Sequence, residues 1–186
     1  MLETVIVLLL IGLDQLAKYL TDLYLMPLGT SVPLWEGVFH FTSAHNTGAA
    51  FGMLAGGRWF FIVVSLLASA AIVFLLVKSR KRMHTFMRVC FALILAGALG
   101  NLIDRVILGY VRDMIEFRLF RFAIFNVADS AVSVGAVLLG LDIIFGKGKA
   151  LLDELDSKTK KPVPAPEAYE PEKTEQDPPE EARGDV

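Results

Sequence analysis

Asp113 and Asp129 are the residues whose type and position best suit catalysis. Asp129 lies one turn inside a long apolar run, and Asp113 lies on the segment leading into that run, so the two are placed to converge. Carboxylates held about 3 Å apart cannot both ionise; one keeps a proton, and the pair supplies an acid and a base together. Such a pair can activate water against a peptide carbonyl, which is the chemistry of an aspartic protease. Spacing alone is equally compatible with a structural use, in which Asp129 accepts from free amides in the first turn of its helix and Asp113 closes a turn.

Other nucleophiles are weaker candidates. Cys90 sits among Val89, Phe91 and Leu93 and reads as an inert buried thiol. Ser43 and His45 lack a Gly-x-Ser-x-Gly elbow, and His40 and His45 lack the spacing of helical metal ligands, so no metal or cofactor is expected. The remaining polar candidates gather near the ends of apolar runs. Asp14 and Lys18 are four apart on one helix face, where they can pair or serve as a helix-end anchor with a snorkelling lysine. Asn101 and Arg105 share a face, with Asp104 free to cap or pair locally. Asn126 precedes Asp129, and Asn46 lies in the first long loop. Asp142 is 13 residues past Asp129, about 20 Å along a helix, and belongs to no common site with it.

The elements that must position these groups follow from composition. Of 186 residues, 54% are hydrophobic and 20% charged, and the mean hydropathy is +0.54, which excludes a water-exposed soluble enzyme. A single cysteine excludes a disulfide-stapled domain, and a net charge of -2 without a basic stripe argues against a nucleic-acid partner. Apolar runs over 5–20, 59–77, 86–103 and 125–145 each approach the ~20 residues that cross a bilayer core, and in lipid only a helix satisfies such a backbone internally. The first is read as a span rather than a cleaved signal peptide, because no Lys or Arg precedes it and no small-x-small pattern follows Gly12. The expected fold is a membrane all-α bundle of four transmembrane helices. With four antiparallel spans, the C-terminal ends of the first and third, the N-terminal end of the fourth and both long loops share one membrane face. Asp14, Lys18, Asn46, Asn101, Asp104, Arg105, Asp113, Asn126 and Asp129 therefore meet there.

The link 78–88 carries Lys78, Arg80, Lys81, Arg82 and Arg88, whereas the outer loop 21–58 carries only Arg58. The positive-inside rule then puts both termini in the cytoplasm, although the second outer loop, 104–124, holds Arg105, Arg112, Arg118 and Arg121 against that trend. Loop 21–58 is too long for a bare turn, and Val32 to Thr42 mixes β-formers with Pro33 and Gly37, so a small β-rich extracytoplasmic subdomain is expected in this first outer loop. Residues 1–150 form the transmembrane domain, edged by Lys147 and Lys149. Residues 151–186 form an acidic Pro/Glu-rich cytoplasmic tail, expected to be disordered from about residue 157.

Five motifs in order carry a resemblance: Asp14-Gln15-Leu16-Ala17-Lys18, Asn46-Thr47-Gly48-Ala49-Ala50-Phe51, Gly97-Ala98-Leu99-Gly100-Asn101-Leu102-Ile103-Asp104-Arg105, Val111-Arg112-Asp113, and Phe125-Asn126-Val127-Ala128-Asp129-Ser130. Together they resemble the lipoprotein signal peptidase (signal peptidase II) family over about residues 5 to 145. The resemblance implies a bacterial inner-membrane aspartyl endopeptidase that works near the outer face. It would cut diacylglyceryl-modified prolipoproteins before their lipidated cysteine, and be blocked by the cyclic peptide globomycin. By motif, Asp113 and Asp129 take the catalytic places; Asn46, Gly48, Asn101, Asp104, Arg105, Asn126 and Ala128 support or contact substrate; Asp14 and Lys18 hold the outer end of the first helix. Membrane lipid is the expected surrounding partner, and a monomer suffices. Two features depart from the pattern: Arg112 stands where members usually carry an apolar residue, and the segment from Asp113 to Asp129 is short.

Two readings of other classes remain open from the residues alone. A small transporter or proton/cation-binding protein would spread polar groups through the bilayer, yet 5–13, 62–76 and 132–141 contain no ionisable residue. A structural subunit would use the polar cluster only to lock helices together, and would lose folded yield when an aspartate is exchanged for asparagine.

Overall fold

Long apolar runs in lipid have one workable form, the helix, and the chain takes it four times. In a computed structural model, which describes residues 1–48, 53–119, 122–148 and 150, the order is α1 (Leu2–Tyr24), β1 (Ser31–Trp35), β2 (Phe39–Asn46), α2 (Arg58–Lys78), α3 (Thr85–Ile107), β3 (Val111–Phe117) and α4 (Val127–Phe145). All four helices are long and apolar enough to cross a membrane. Apolar counting stops at residue 103, but α3 continues through Asp104 and Arg105 to Ile107, because polar residues at a helix end still extend its backbone ladder. The fourth helix begins two residues later than the apolar run, at Val127, since Asn126 caps it.

The third helix is the hub. Half of its most apolar window is buried, against 17–22% in the other three, and each of the others packs on it. Glycines set how closely α4 approaches: a Cβ on Gly97 would lie 2.2 Å from the Ala128 carbonyl oxygen, and one on Gly135 would lie 2.9 Å from that of Cys90. Small residues at such crossings let backbones meet where no hydrophobic drive separates protein from lipid. Val7, Ile72, Ala92, Leu95 and Ala96 form the apolar core between α1, α2 and α3. Leu8, Leu9, Phe60, Leu67 and Val137 are exposed and suit a lipid surround.

The strands form one antiparallel sheet, ordered β1-β2-β3. Gly37, at φ +74°, makes the turn between the first two. The sheet is not confined to the first outer loop: its third strand comes from loop 104–124, pairing Asn46 with Val111, His45 with Arg112 and Ala44 with Asp113. Arg112, Asp113 and Glu116 interrupt the apolar pattern of that strand and hide it from a periodicity reading. The acidic tail 151–186, and with it the division at residue 150, lies outside the described residues, as do Lys149 and Arg121.

Candidate active site

The start of α4 assembles the site. Asn126 caps this helix, accepting the Asp129 backbone N–H at 2.8 Å through Oδ1, while Asp129 Oδ2 accepts the Asn126 backbone N–H at 3.2 Å. This reciprocal capping box satisfies two amides that the first turn leaves open. The structural use of Asp129 is thus realised, but it occupies only one oxygen. Oδ1 accepts from Asn101 Nδ2, on α3, at 2.7 Å. On β3, Asp113 accepts from Asn126 Nδ2 at 2.7 Å and from Asn46 Nδ2 at 3.1 Å. Asn126 therefore touches both carboxylates, one through its side chain and one through its backbone. Asp113 is 2% exposed. Burial, and then the neighbouring charge of Asp129, push its carboxyl up to about 7, against the pull of the two amide donors.

Next to this pair, Asn46 Oδ1 accepts the Gly48 N–H at 2.9 Å, and Arg105 donates to the Gly48 carbonyl at 3.1 Å with its guanidinium 4.9 Å from the Phe61 ring centre. Arg58, at the start of α2, donates to the carbonyls of Arg105 and Val106, each at 2.8 Å, closing the open C-terminal end of α3. An open cavity of about 280 Å³ adjoins Asp113, lined by Ala44, His45, Asn46, Thr47, Ala123 and Ile124 as well.

A buried ionic layer supports the site. Lys18, fully buried, lies 2.8 Å from Asp14 and 3.4 Å from Asp104, and donates to Asn101 Oδ1 at 3.0 Å. Asp14 also accepts the Ala128 N–H at 2.9 Å; a Cβ on Gly100 would stand 2.8 Å from its other oxygen. Asn101 Oδ1 accepts from Asn126 as well, at 3.1 Å, so one amide joins the lysine, the cap and Asp129. Gln15 donates to Asp14, the Gly100 carbonyl and Asp104, each at 3.2 Å. Removing one member of such a layer leaves a buried charge uncompensated, typically at ~3–5 kcal/mol.

Every residue that sequence singled out for the site comes together here. Asp14, Lys18, Asn46, Gly48, Asn101, Asp104, Arg105, Asp113, Asn126, Ala128 and Asp129 are joined through the contacts just described. Asp104 pairs with Lys18 on α1 and Arg112 on β3 rather than within its own helix. Asp142 is apart, as its spacing required, and meets His84 at 2.9 Å at the opposite end of the bundle. His45 stacks on Tyr110, their ring centres 3.8 Å apart, while Ser43 is buried. Gln15, Asp22, Arg58 and Arg112 are the participants that sequence reasoning gave no role. Only Arg112 had raised a signal, as an unexpected charge beside Asp113. The charge turns away from the pair, to Asp104 and Asp22.

Four helices able to span a membrane, with carboxylates and amides concentrated at the sheet end, suit a membrane-embedded protease. The family described as Signal peptidase (SPase) II matches residues 6–145. The lipoprotein signal peptidase of Caldanaerobacter subterraneus subsp. tengcongensis is 46% identical over 144 residues, covering 77% of this chain and 97% of that protein. That of Clostridioides difficile is 44% identical over 150 residues, covering 81% and 99%. A solved bacterial membrane enzyme superposes with a TM-score of 0.71 at 35% identity, covering 87% of this chain and 93% of its own. The chain belongs to the signal peptidase II family.

Proposed function

We propose that this protein removes signal peptides from diacylglyceryl-modified prolipoproteins, cutting before the lipidated cysteine, with Asp113 and Asp129 as its catalytic pair. The observation that carries the reading is the Asn126 bridge, which contacts both carboxylates, with Asp113 lining an open cavity and neither carboxylate in an ion pair among the described residues. The pair shares one proton and titrates as a unit, with burial and the neighbouring charge of Asp129 raising the Asp113 carboxyl to about 7. The ionised member takes a proton from water, and the resulting hydroxide attacks the scissile carbonyl. The protonated member donates a hydrogen bond to the developing oxyanion. Collapse of the tetrahedral intermediate breaks the C–N bond as the leaving amine receives a proton from the pair. Arg105 and Asn46, beside Gly48, suit contacts with the substrate backbone.

The enzyme sits in the bacterial inner membrane with both termini cytoplasmic and the sheet end at the outer face, since the cationic link 78–88 lies between α2 and α3 at the other end. The transmembrane unit, residues 1–150, works as a monomer within membrane lipid. Its substrates' acyl chains stay in the bilayer while the peptide bond is presented at the interface. Globomycin-type cyclic peptides occupy the same cavity. Cleavage of a diacylglyceryl-modified lipobox precursor in liposomes tests the reading: the lipidated precursor is cut and its unlipidated counterpart is not. Equal cleavage of both, or of neither, overturns it.

A further inference from the structure

Arg112 adjoins Asp113 in the chain, yet the chemistry just proposed does not use it. Neighbours in a strand face opposite sides, so the guanidinium points away from the carboxylate pair. It donates from Nε to Asp104 Oδ2 at 3.2 Å, from Nη2 to Asp104 Oδ1 at 2.9 Å and to Gln15 Oε1 at 3.0 Å, and from Nη1 to Asp22 Oδ2 at 3.0 Å. The main chain of the same residue is held as well. Its N–H donates to Asp104 Oδ2 at 3.0 Å, and its carbonyl accepts from Asn126 Nδ2 at 3.3 Å. One residue thus ties β3 to α1 and α3 on one side and to the cap of α4 on the other.

We propose that Arg112 is a positioning residue, whose forked grip on Asp104, Asp22 and Gln15 fixes the backbone from which Asp113 meets Asp129. The sheet by itself cannot do this, because the β2–β3 register shifts between Phe41 and Ala44, and Ala44 is the residue opposite Asp113. A bulge at that place loosens the ladder. Asn46 holds only the Asp113 carboxyl, and Asn126 adds one bond of 3.3 Å to the Arg112 carbonyl, so the ties from this strand to α1 and α3 fall to Arg112. A planar guanidinium can hold Asp104 with two bonds while reaching Asp22 and Gln15; a lysine offers a point charge and no fork. The inference rests on Asp113 and Asp129 being the catalytic pair, because a misplacement of about 1 Å matters only where geometry sets the rate.

The test compares wild type with Arg112→Met, Arg112→Lys, Asp22→Asn and Asp113→Asn, each purified in detergent. Turnover and KM are read on a diacylglyceryl-modified lipobox peptide across pH, with thermal unfolding alongside. Arg112→Met and Arg112→Lys are expected to lose about 10–100-fold in kcat, with KM within about twofold and a displaced alkaline limb of the kcat profile. Asp22→Asn, which leaves the grip on Asp104, is expected to lose a smaller factor in the same direction. If Arg112→Met keeps its kcat and pH limb, or Arg112→Lys fully restores both, the inference is overturned. Should neither Arg112 variant fold, an unchanged kcat and limb in Asp22→Asn overturns it. An active Asp113→Asn sinks the catalytic reading itself; an inactive one beside unimpaired Arg112 variants sinks only the role of Arg112.

Discussion

The two ends of the bundle handle charge differently. At the end away from the sheet, each acid among the described residues has its own base: Asp142 meets His84 at 2.9 Å and Glu3 meets Arg88 at 2.8 Å. At the sheet end, Asp14, Asp22 and Asp104 are matched by Lys18 and Arg112, while Asp113 and Asp129 form no ion pair among the described residues. Those two are held by amides, from Asn46, Asn101 and Asn126. An amide fixes where a carboxyl stands without fixing its charge, whereas a cation fixes both. The one-for-one end is a fastener, and the amide-held pair is left able to trade a proton.

The largest effect expected from this contrast is on turnover. Asp113→Asn or Asp129→Asn should lower kcat on a lipidated precursor by on the order of 10³-fold while the chain still folds, because asparagine fits the same space, removes the titration and exchanges one of two accepting oxygens for a donor. Near-wild-type turnover in either would erase the distinction between the two ends. Next is Asn126→Ala, which removes a cap and the bridge together. Turnover should fall by about 10²-fold, and thermal unfolding should register a loss of roughly 1 kcal/mol, the usual worth of an N-cap.

The pH dependence of stability sharpens the contrast. With its carboxyl raised from 3.8 to about 7, native Asp113 holds a proton that the unfolded chain has released. Its contribution is fully present below about pH 4 and is lost as pH rises through about 7. Wild type should therefore unfold progressively more easily between those limits, and Asp113→Asn should lack that part of the slope, gaining on wild type at pH 7.5 relative to pH 4.5. Turnover should decline above about pH 7 for the same reason, as the pair loses its shared proton. The smallest effect belongs to the other end. Asp142→Asn should cost about 1 kcal/mol of stability, the scale of one hydrogen bond, and leave kcat within about twofold; a large loss of turnover there would mean that the ends are coupled.

How much of this was legible in the sequence varied with the range of the contact. Helical spans and the Asp14–Lys18 pair depend on residues a few positions apart, and the sequence carries them. That Asn46, Asn101, Asn126 and the two aspartates share a face follows from counting spans. The role of Gln15 and Asp22 depends instead on where Arg112 reaches, across about ninety residues of chain. Strand β3 stayed hidden because its charged residues have partners that only the fold supplies. Arg58 was legible as a loop charge, but its bonds to the carbonyls of Arg105 and Val106 require knowing that α2 begins beside the end of α3.

The reciprocal cap at Asn126 and Asp129 also orders events during synthesis. Asp113 emerges from the ribosome earlier, but its partner carboxyl and the bridging amide arrive only with the last span. A nascent chain whose fourth helix has not yet inserted and docked on the third holds half a pair and no bridge. With Asp113 and Asp129 as the proposed catalytic pair, competence to cut and completion of membrane assembly coincide.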